Sequence, residues 1–154
     1  MDKKNYSFQE VQQKMAAYCS YQDRCHSEVE QKMKEFFLIP EARDEILLFL
    51  IRENFLNEER FTRSYIRGKF YIKNWGRNKI RQSLRQKMVE DKLISKCMDE
   101  IEGRDYINVL KKLYENYYSK CTAPNEYQKK QKTIRYLLNR GFEYETIIHL
   151  FHED

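Results

Sequence analysis

Apolar residues along most of the chain lie three or four positions apart, as on one face of an α-helix. Ile80, Leu84 and Met88 show this spacing in the middle of the sequence. The chain has only 4 Gly and 2 Pro, and a protein built from strands and tight turns needs more turn residues than that. The pattern therefore predicts an all-α fold with short breaks between helices.

The first third of the chain reads as three helices. Ser7 and Glu10 have the spacing of a capping box, which predicts a helix from Ser7 to about Ser20. Pro40 suits the first turn of the third helix, where a missing N–H costs nothing. The run 46–51 is apolar on all sides, so we expect it to be the most buried helix of this part. The second helix is predicted from the apolar face formed by Val29, Met33 and Phe36.

The middle third repeats this arrangement. Asn57 is expected to cap a helix that breaks at 74–76, and a helix through Ile80, Leu84 and Met88 follows the break. A third helix is expected to end at Gly103. The inner stripe of the first of these helices is predicted to be Phe61, Tyr65, Ile66 and Phe70, and that of the third Leu93, Ile94, Cys97, Met98 and Ile101.

The last third predicts helices over 105–120 and 127–140, with Gly141 stopping the second of them. Apolar positions in the three parts match at offsets of 51 and 53 residues; Leu84, for example, corresponds to Met33 and to Leu137. A period near fifty is typical of tandem helical arrays, whose units cannot each bury their apolar face alone. We therefore predict three three-helix repeats, spanning 1–56, 57–103 and 104–154.

Charge is distributed unevenly over the 154 residues. The net charge is +5, with 29 basic and 24 acidic residues. Between Arg60 and Lys92 there are 11 basic and 2 acidic residues, which leaves 18 basic and 22 acidic residues elsewhere. A local excess of +9 is a candidate footprint for a polyanion or an acidic protein surface.

Cations within this basic stretch recur at helical spacing, so the arginines and lysines can be displayed while the aliphatic residues pack. Guanidinium groups bind phosphate or carboxylate in a fork. Trp75 and Tyr71 could stack on bases, although large aromatics more often pack between helices. Neither Arg77 nor Arg81 is expected to be part of the core. The predicted contact residues are Arg63, Arg67, Lys69, Lys73, Trp75, Arg77, Lys79, Arg81 and Arg85.

Several stretches resemble the RecX family of recombinase regulators. FLNEERFTRSYIRGK from Phe55 and WGRNKIRQSLRQK from Trp75 are similar to the second repeat of that family. YLLNRGFEYETI from Tyr136 resembles the end of the third repeat, and QDRCHSEVEQKM from Gln22 is a weaker match to the first. The resemblance implies tandem three-helix units curved into an elongated shape. It also implies a protein that binds RecA filaments on single-stranded DNA and restrains strand exchange, ATP hydrolysis and co-protease action.

The sequence departs from the family where a glycine usually ends the middle helix of each repeat. Gly141 keeps the glycine, but Phe37 and Met88 occupy the matching positions. A residue with a side chain avoids the left-handed conformation that such helix ends commonly use. We therefore expect these two helix ends to differ in shape from the third.

No catalytic motif is evident in the sequence. It has no glycine-rich phosphate loop, no HExxH motif and no nucleophile elbow, so we expect neither an enzyme nor a cofactor. His26 adjoins Cys25 without the further ligands of a zinc site. The four cysteines lack CxxC spacing, and no apolar run approaches a membrane span. We expect a cytoplasmic monomer with free thiols and no membrane partner.

Three functions are compatible with the cationic stretch. The resemblance favours a regulator of RecA filaments that touches single-stranded DNA. A sequence-independent DNA-binding helical module is the second, because three-helix units resemble helix-turn-helix folds. A helical scaffold for another acidic protein is the third.

Overall fold

The computed structural model describes residues 5–152 and confirms the all-α prediction. Within that range the chain forms nine α-helices, with a short π-helical segment and a short 3₁₀ turn, and no strand. The helices are α1 (Phe8–Tyr21), α2 (His26–Met33), α3 (Pro40–Arg52), α4 (Glu58–Arg67), α5 (Arg77–Gln86), α6 (Asp91–Cys97), α7 (Gly103–Lys120), α8 (Glu126–Asn139) and α9 (Tyr144–His152). We call α1–α3 the first unit, α4–α6 the second and α7–α9 the third.

The equivalent third helices of the units, α3, α6 and α9, begin at residues 40, 91 and 144. These starts are 51 and 53 residues apart, as the apolar pattern predicted. The helical-repeat fold is therefore confirmed. The proposed limits at 56/57 and 103/104 stay a prediction.

Local signals placed the starts of α1 and α3 correctly. The hydroxyl of Ser7 accepts a hydrogen bond from the Glu10 N–H at 3.1 Å, and the Glu10 carboxylate accepts one from the Ser7 N–H at 3.2 Å. This is the predicted capping box. Pro40 occupies the first turn of α3, as predicted. Both signals act within four residues, so they do not depend on packing elsewhere.

The expectation for the apolar run 46–51 was wrong. Only Ile46 and Leu50 of this run are buried, whereas Leu48 is 55% exposed and Ile51 is 43% exposed. The first unit consists of three helices, so α3 has neighbours on one side only and its other side faces outward.

The second unit begins with the predicted cap, because the Asn57 side chain accepts a hydrogen bond from the Arg60 N–H at 2.9 Å. Beyond α4 the helix continues as a π-helical segment, Gly68–Ile72. The predicted break follows, with Asn74 in the left-handed region at φ 57°. Phe61, Ile66 and Phe70 are buried as expected.

Met88 does not behave as expected. It is not part of the inner face of α5, since it lies beyond the helix end and its side chain is 77% exposed. It also adopts the left-handed conformation, with φ 65°. The hydrogen bonds at this helix end repeat those around Gly141: the N–H of Val89 donates to Leu84, and that of Phe142 donates to Leu137, both at 3.1 Å. Phe37 lacks this conformation, as expected for a non-glycine residue.

Gly103 begins α7 instead of ending α6, so that prediction was also wrong. The α-helix α6 ends at Cys97 and passes into the 3₁₀ turn Met98–Glu100. The Glu102 carboxylate accepts a hydrogen bond from the Asp105 N–H at 3.0 Å and thereby caps α7. A side-chain cap so close to Gly103 starts a new helix. Gly141 stops α8 as predicted, with φ 98°.

Buried residues form two clusters, one within the first unit and one that runs through the second and third units. The first cluster lies within 11–56. The larger cluster includes Cys25 from the first unit, but its other members come from the second and third units. Phe70, Tyr106 and Phe142 link those two units through ring contacts with centroid distances of 5.6 and 5.1 Å.

Direct backbone contact joins the second and third units. The Gly76 N–H donates to the carbonyl of Arg140, and the Asn78 N–H donates to that of Gly141, both at 2.8 Å. A Cβ on Gly76 would lie 2.3 Å from the Gly141 carbonyl carbon, and one on Gly141 would lie 2.4 Å from Cβ of Lys79. Only glycine at both positions permits this approach.

Side chains instead join the first and second units. The Ser27 hydroxyl donates to the Lys87 carbonyl at 2.7 Å, and the His26 N–H donates to the Glu58 carboxylate at 2.9 Å. Cys25 occupies the position that corresponds to Gly76 at an offset of 51, and it is fully buried. Each of these two hydrogen bonds involves one side chain, that of Ser27 as donor or that of Glu58 as acceptor.

Candidate partner-binding surface

Two arginines of α4 pair with acids that lie next to them in the folded second unit. Arg63 is 2.7 Å from Asp99, and Arg67 is 2.6 Å from Glu100. Arg63 also donates to Glu59 at 3.2 Å. Hydrogen bonds to Asp99 and then to Glu59 raise the pKa of the Arg63 guanidinium. A hydrogen bond from Lys96, followed by that from Arg63, lowers the pKa of Glu59.

Acids of the first unit pair with further cations of the basic stretch. Arg60 is 2.7 Å from Asp23, and Lys87 is 3.4 Å from Glu28. Both pairs connect the first unit to the second. Much of the local positive charge is therefore balanced by acids that are distant in the sequence, which a count along the chain could not reveal.

Arg77 lies at the junction between the second and third units. Its guanidinium is 3.1 Å from the Glu143 carboxylate and 3.8 Å from the ring centre of Tyr106. The Tyr106 hydroxyl accepts a hydrogen bond from the Arg77 N–H at 3.0 Å and donates one to Glu143. Burial, and then the bond to Glu143, raise the pKa of Tyr106. Arg77 is half-buried in this network and, as expected, is not among the buried residues of the core, although it lies against one of them, Tyr106.

Lys69 and Lys79 meet at the indole of Trp75. Their ammonium groups are 4.7 and 4.4 Å from the centre of the ring. Trp75 itself is partly buried and packs against the larger cluster, as large aromatic residues more often do. Lys73, directly before the break, is exposed. We call Lys69, Lys73, Trp75 and Lys79 the Trp75 corner.

The lysines of the Trp75 corner differ from most of the other predicted contacts in one respect. None of the three forms an ion pair with a carboxylate of residues 5–152. Arg85, by contrast, is 2.5 Å from Asp91, and Arg81 donates to the Ser95 hydroxyl at 3.1 Å. Three of the nine predicted residues, Lys69, Trp75 and Lys79, thus lie in contact, and Lys73 is exposed two residues before Trp75. The other five have partners within the chain.

Sequence reasoning missed two residues of the junction, Tyr106 and Glu143. Tyr106 lies four positions before Leu110 on α7, so the helical spacing could have identified it as a core position. Glu143 gave no such signal, because its contact with Arg77 spans 66 residues.

Among residues 5–152 no group of three or more His, Cys, Asp or Glu side chains is placed to hold a metal ion. Nor does any helix in that range have the length and apolar character needed to cross a membrane.

Comparison with protein families identifies the second and third units. Residues 57–98 match the model of the second three-helix domain of RecX, and residues 104–150 match that of the third. The chain belongs to the RecX family. The RecX matches cover α4–α6 and α7–α9 almost completely.

Curated relatives carry the name regulatory protein RecX. The relative from Clostridium perfringens (strain 13 / Type A) is 27% identical over 79% of this chain and 58% of its own length. That from Yersinia enterocolitica is 31% identical over 74% of this chain and 66% of its own length. This RecX-family chain therefore spans about six-tenths of the length of such relatives.

Solved structures show the same fold. A crystal structure of regulatory protein RecX superposes with a TM-score of 0.81 at 25% identity and covers 90% of this chain and 68% of that one. RecX from Lactobacillus salivarius superposes with a TM-score of 0.87 at 23% identity and covers 95% of both chains.

Proposed function

We propose that this RecX-family chain is a non-catalytic, monomeric regulator that acts in the cytoplasm. It binds RecA recombinase filaments on single-stranded DNA and inhibits their strand exchange, ATP hydrolysis and co-protease action. Family membership supports the regulatory role. The resemblance in the basic second unit supports the choice of partner.

The Trp75 corner is the feature that best supports a contact surface in the second unit. Its three lysines have no carboxylate partner within residues 5–152. Two of them adjoin a partly buried indole that packs on the core. A fixed ring with cations beside it presents positive charge without needing to break an existing ion pair, which suits an acidic groove or a phosphate backbone.

The remaining predicted contacts belong to the same proposal, with a smaller expected contribution. Their charge is already shared with acids or a hydroxyl of this chain, so a partner must compete for it. These residues are Arg63, Arg67, Arg77, Arg81 and Arg85.

Reversing charge at the Trp75 corner tests the proposal. Lys73→Glu combined with Lys79→Glu turns attraction into repulsion, and we expect the concentration that half-inhibits the RecA ATPase on single-stranded DNA to rise about tenfold or more. The matched control is Lys111→Glu with Lys112→Glu, two exposed lysines of α7. It changes the net charge equally and should leave inhibition unchanged.

Arg77 is avoided as a test position because its reversal would disrupt the junction with Glu143. Each variant is first compared with the wild type by thermal melting. Wild-type inhibition by a folded Lys73/Lys79 variant would exclude the corner as the filament contact. Absence of inhibition by the wild type itself would exclude the proposed function.

Direct contact with single-stranded DNA is the second candidate, favoured by the lysines around Trp75. If about four phosphates are neutralised, the logarithm of the binding constant should fall with the logarithm of salt at a slope near −3. An affinity that does not change with salt would contradict phosphate contact.

A further inference from the structure

The helix that leads to the Trp75 corner contains one wide turn. In the segment Gly68–Ile72 the Lys73 N–H donates to the Gly68 carbonyl, five residues back, at 3.3 Å. Such π-helical turns insert an extra residue into a helix and are frequent at functional sites. Here the turn keeps Phe70 fully buried while Ile72 is 76% exposed.

Ile72 has no evident role in the fold. It belongs to neither of the buried clusters nor to the partly buried residues that pack against them. The neighbouring Lys69 and Lys73 lack carboxylate partners within the described residues. A single exposed aliphatic side chain is common on protein surfaces, so the exposure of Ile72 indicates a binding site only together with a second feature beside it.

That second feature is Gly68, four residues before Ile72. Its backbone is ordinary right-handed helix, with φ −64° and ψ −44°, and a Cβ there would meet nothing within 4 Å. Glycine destabilises a helix that another residue could stabilise. Gly76 and Gly141 are required by crowding, but within the described residues nothing requires Gly68. A glycine of this kind leaves the helix backbone open to close approach from outside.

We propose that Gly68, Ile72 and the flanking Lys69 and Lys73 form a docking surface for a segment of an acidic protein. Ile72 enters an apolar pocket of the partner, Gly68 admits the partner's backbone, and the lysines face its carboxylates. This inference rests on the proposed function, in which that partner is a subunit of the recombinase filament. An aliphatic side chain neither stacks on bases nor attracts phosphate, so the surface fits a protein better than a nucleic acid.

Two substitutions of Ile72 separate these classes of partner. Ile72→Ala removes the anchor, and we expect about tenfold weaker binding of the full chain to RecA filaments with unchanged affinity for bare single-stranded DNA. Ile72→Lys adds a cation, which would strengthen contact with phosphate but should weaken filament binding at least as much as alanine does. The matched control is Ile39→Lys on the first unit, where the isoleucine is 67% exposed; it should leave filament binding unchanged.

Gly68→Ala gives a result that a purely structural role cannot produce. Alanine suits the helical backbone at this position, so the melting temperature should rise by about 2–4 °C. The added methyl group obstructs the partner, so the filament affinity should fall severalfold. Increased stability together with weaker binding identifies a surface used by a partner.

The outcomes separate the two proposals. Tighter filament and DNA binding by Ile72→Lys would mark a nucleic-acid surface and overturn the inference. Wild-type filament affinity for both Ile72→Ala and Gly68→Ala would overturn the inference alone, since the wild type would still bind. A wild type that does not bind filaments would overturn the proposed function and the docking surface with it.

Discussion

A single hydroxyl, that of Tyr106, connects three groups at the junction between the second and third units. The hydroxyl accepts a hydrogen bond from the Arg77 N–H and donates one to Glu143. The Tyr106 ring that bears it packs against the Arg77 guanidinium. The side chain is almost fully buried, so removal of the hydroxyl leaves the Arg77 N–H without this acceptor and removes one of the two hydrogen bonds to Glu143. That penalty is generally about 1–3 kcal/mol.

We therefore predict that Tyr106→Phe lowers the free energy of unfolding at pH 7 by that amount. The variant should also change the response to alkali. Burial and Glu143 raise the pKa of Tyr106 above its ordinary value of 10.0, so the folded state holds this proton more tightly than the unfolded state. The stabilisation is complete below pH 10 and decreases as pH rises above it.

Urea unfolding between pH 9 and 11.5 measures this effect. The wild type should lose stability above pH 10 more steeply than Tyr106→Phe, because only the wild type has this proton to lose. Tyr71→Phe is the matched control: the hydroxyl of Tyr71 donates to Asp105 at an exposed site, so its loss should change stability by less than about 0.5 kcal/mol. Parallel profiles for the wild type and Tyr106→Phe would contradict the prediction.

At the scale of helices, the sequence predicted those features that depend on neighbouring residues. Ser7, Pro40 and Asn57 start helices where their local chemistry indicated. Gly103 was misplaced because the cap at Glu102 gave a competing signal. The exposure of Leu48 depends on how many helices pack against α3, and local patterns contain no such information.

The candidate surface was likewise predictable only in the features that depend on residues close together in the sequence. Cations at helical spacing were visible in the sequence, and Lys69 and Lys79 do meet at Trp75. That these two lysines lack a carboxylate partner within residues 5–152 was not predictable, because the acids that neutralise other cations include Asp23 and Glu143, which are far away in the chain. The π-helical turn that exposes Ile72 also leaves no periodic signal.

The end of α5 allows a test of helix geometry. The left-handed conformation of Met88, at φ 65°, is sterically unfavourable for a residue with a side chain, and the exposed side chain contributes little packing. We predict that Met88→Gly raises the free energy of unfolding by about 0.5–1 kcal/mol. Gln82→Gly, at an exposed position within α5, should instead lower it by about 1 kcal/mol. Chemical denaturation of the two variants checks both signs, and destabilisation by Met88→Gly would refute the strain argument.

At the scale of the whole molecule, the repeat pattern and the core divide the chain differently. The pattern predicts three similar units, but the larger buried cluster joins the second and third. Two close backbone hydrogen bonds and the Arg77 network reinforce that junction. The first unit has its own cluster and is joined to the second largely by side chains. The packing therefore indicates two cooperative folding units, the first unit alone and the second together with the third, instead of three.

This division predicts the behaviour of fragments. A chain of residues 57–154 keeps the larger cluster except for Cys25, so we expect native-like helical circular dichroism and a cooperative thermal melt. A chain of 57–103 lacks Tyr106, Leu110 and Phe142 from the core and exposes Phe70, so it should lose most of its helix. Fewer than fifty residues rarely bury enough apolar surface to fold alone. A cooperative melt of 57–103 by itself would show that the three-unit division also holds for folding, and an unfolded 57–154 would show that the first unit is needed to stabilise the rest.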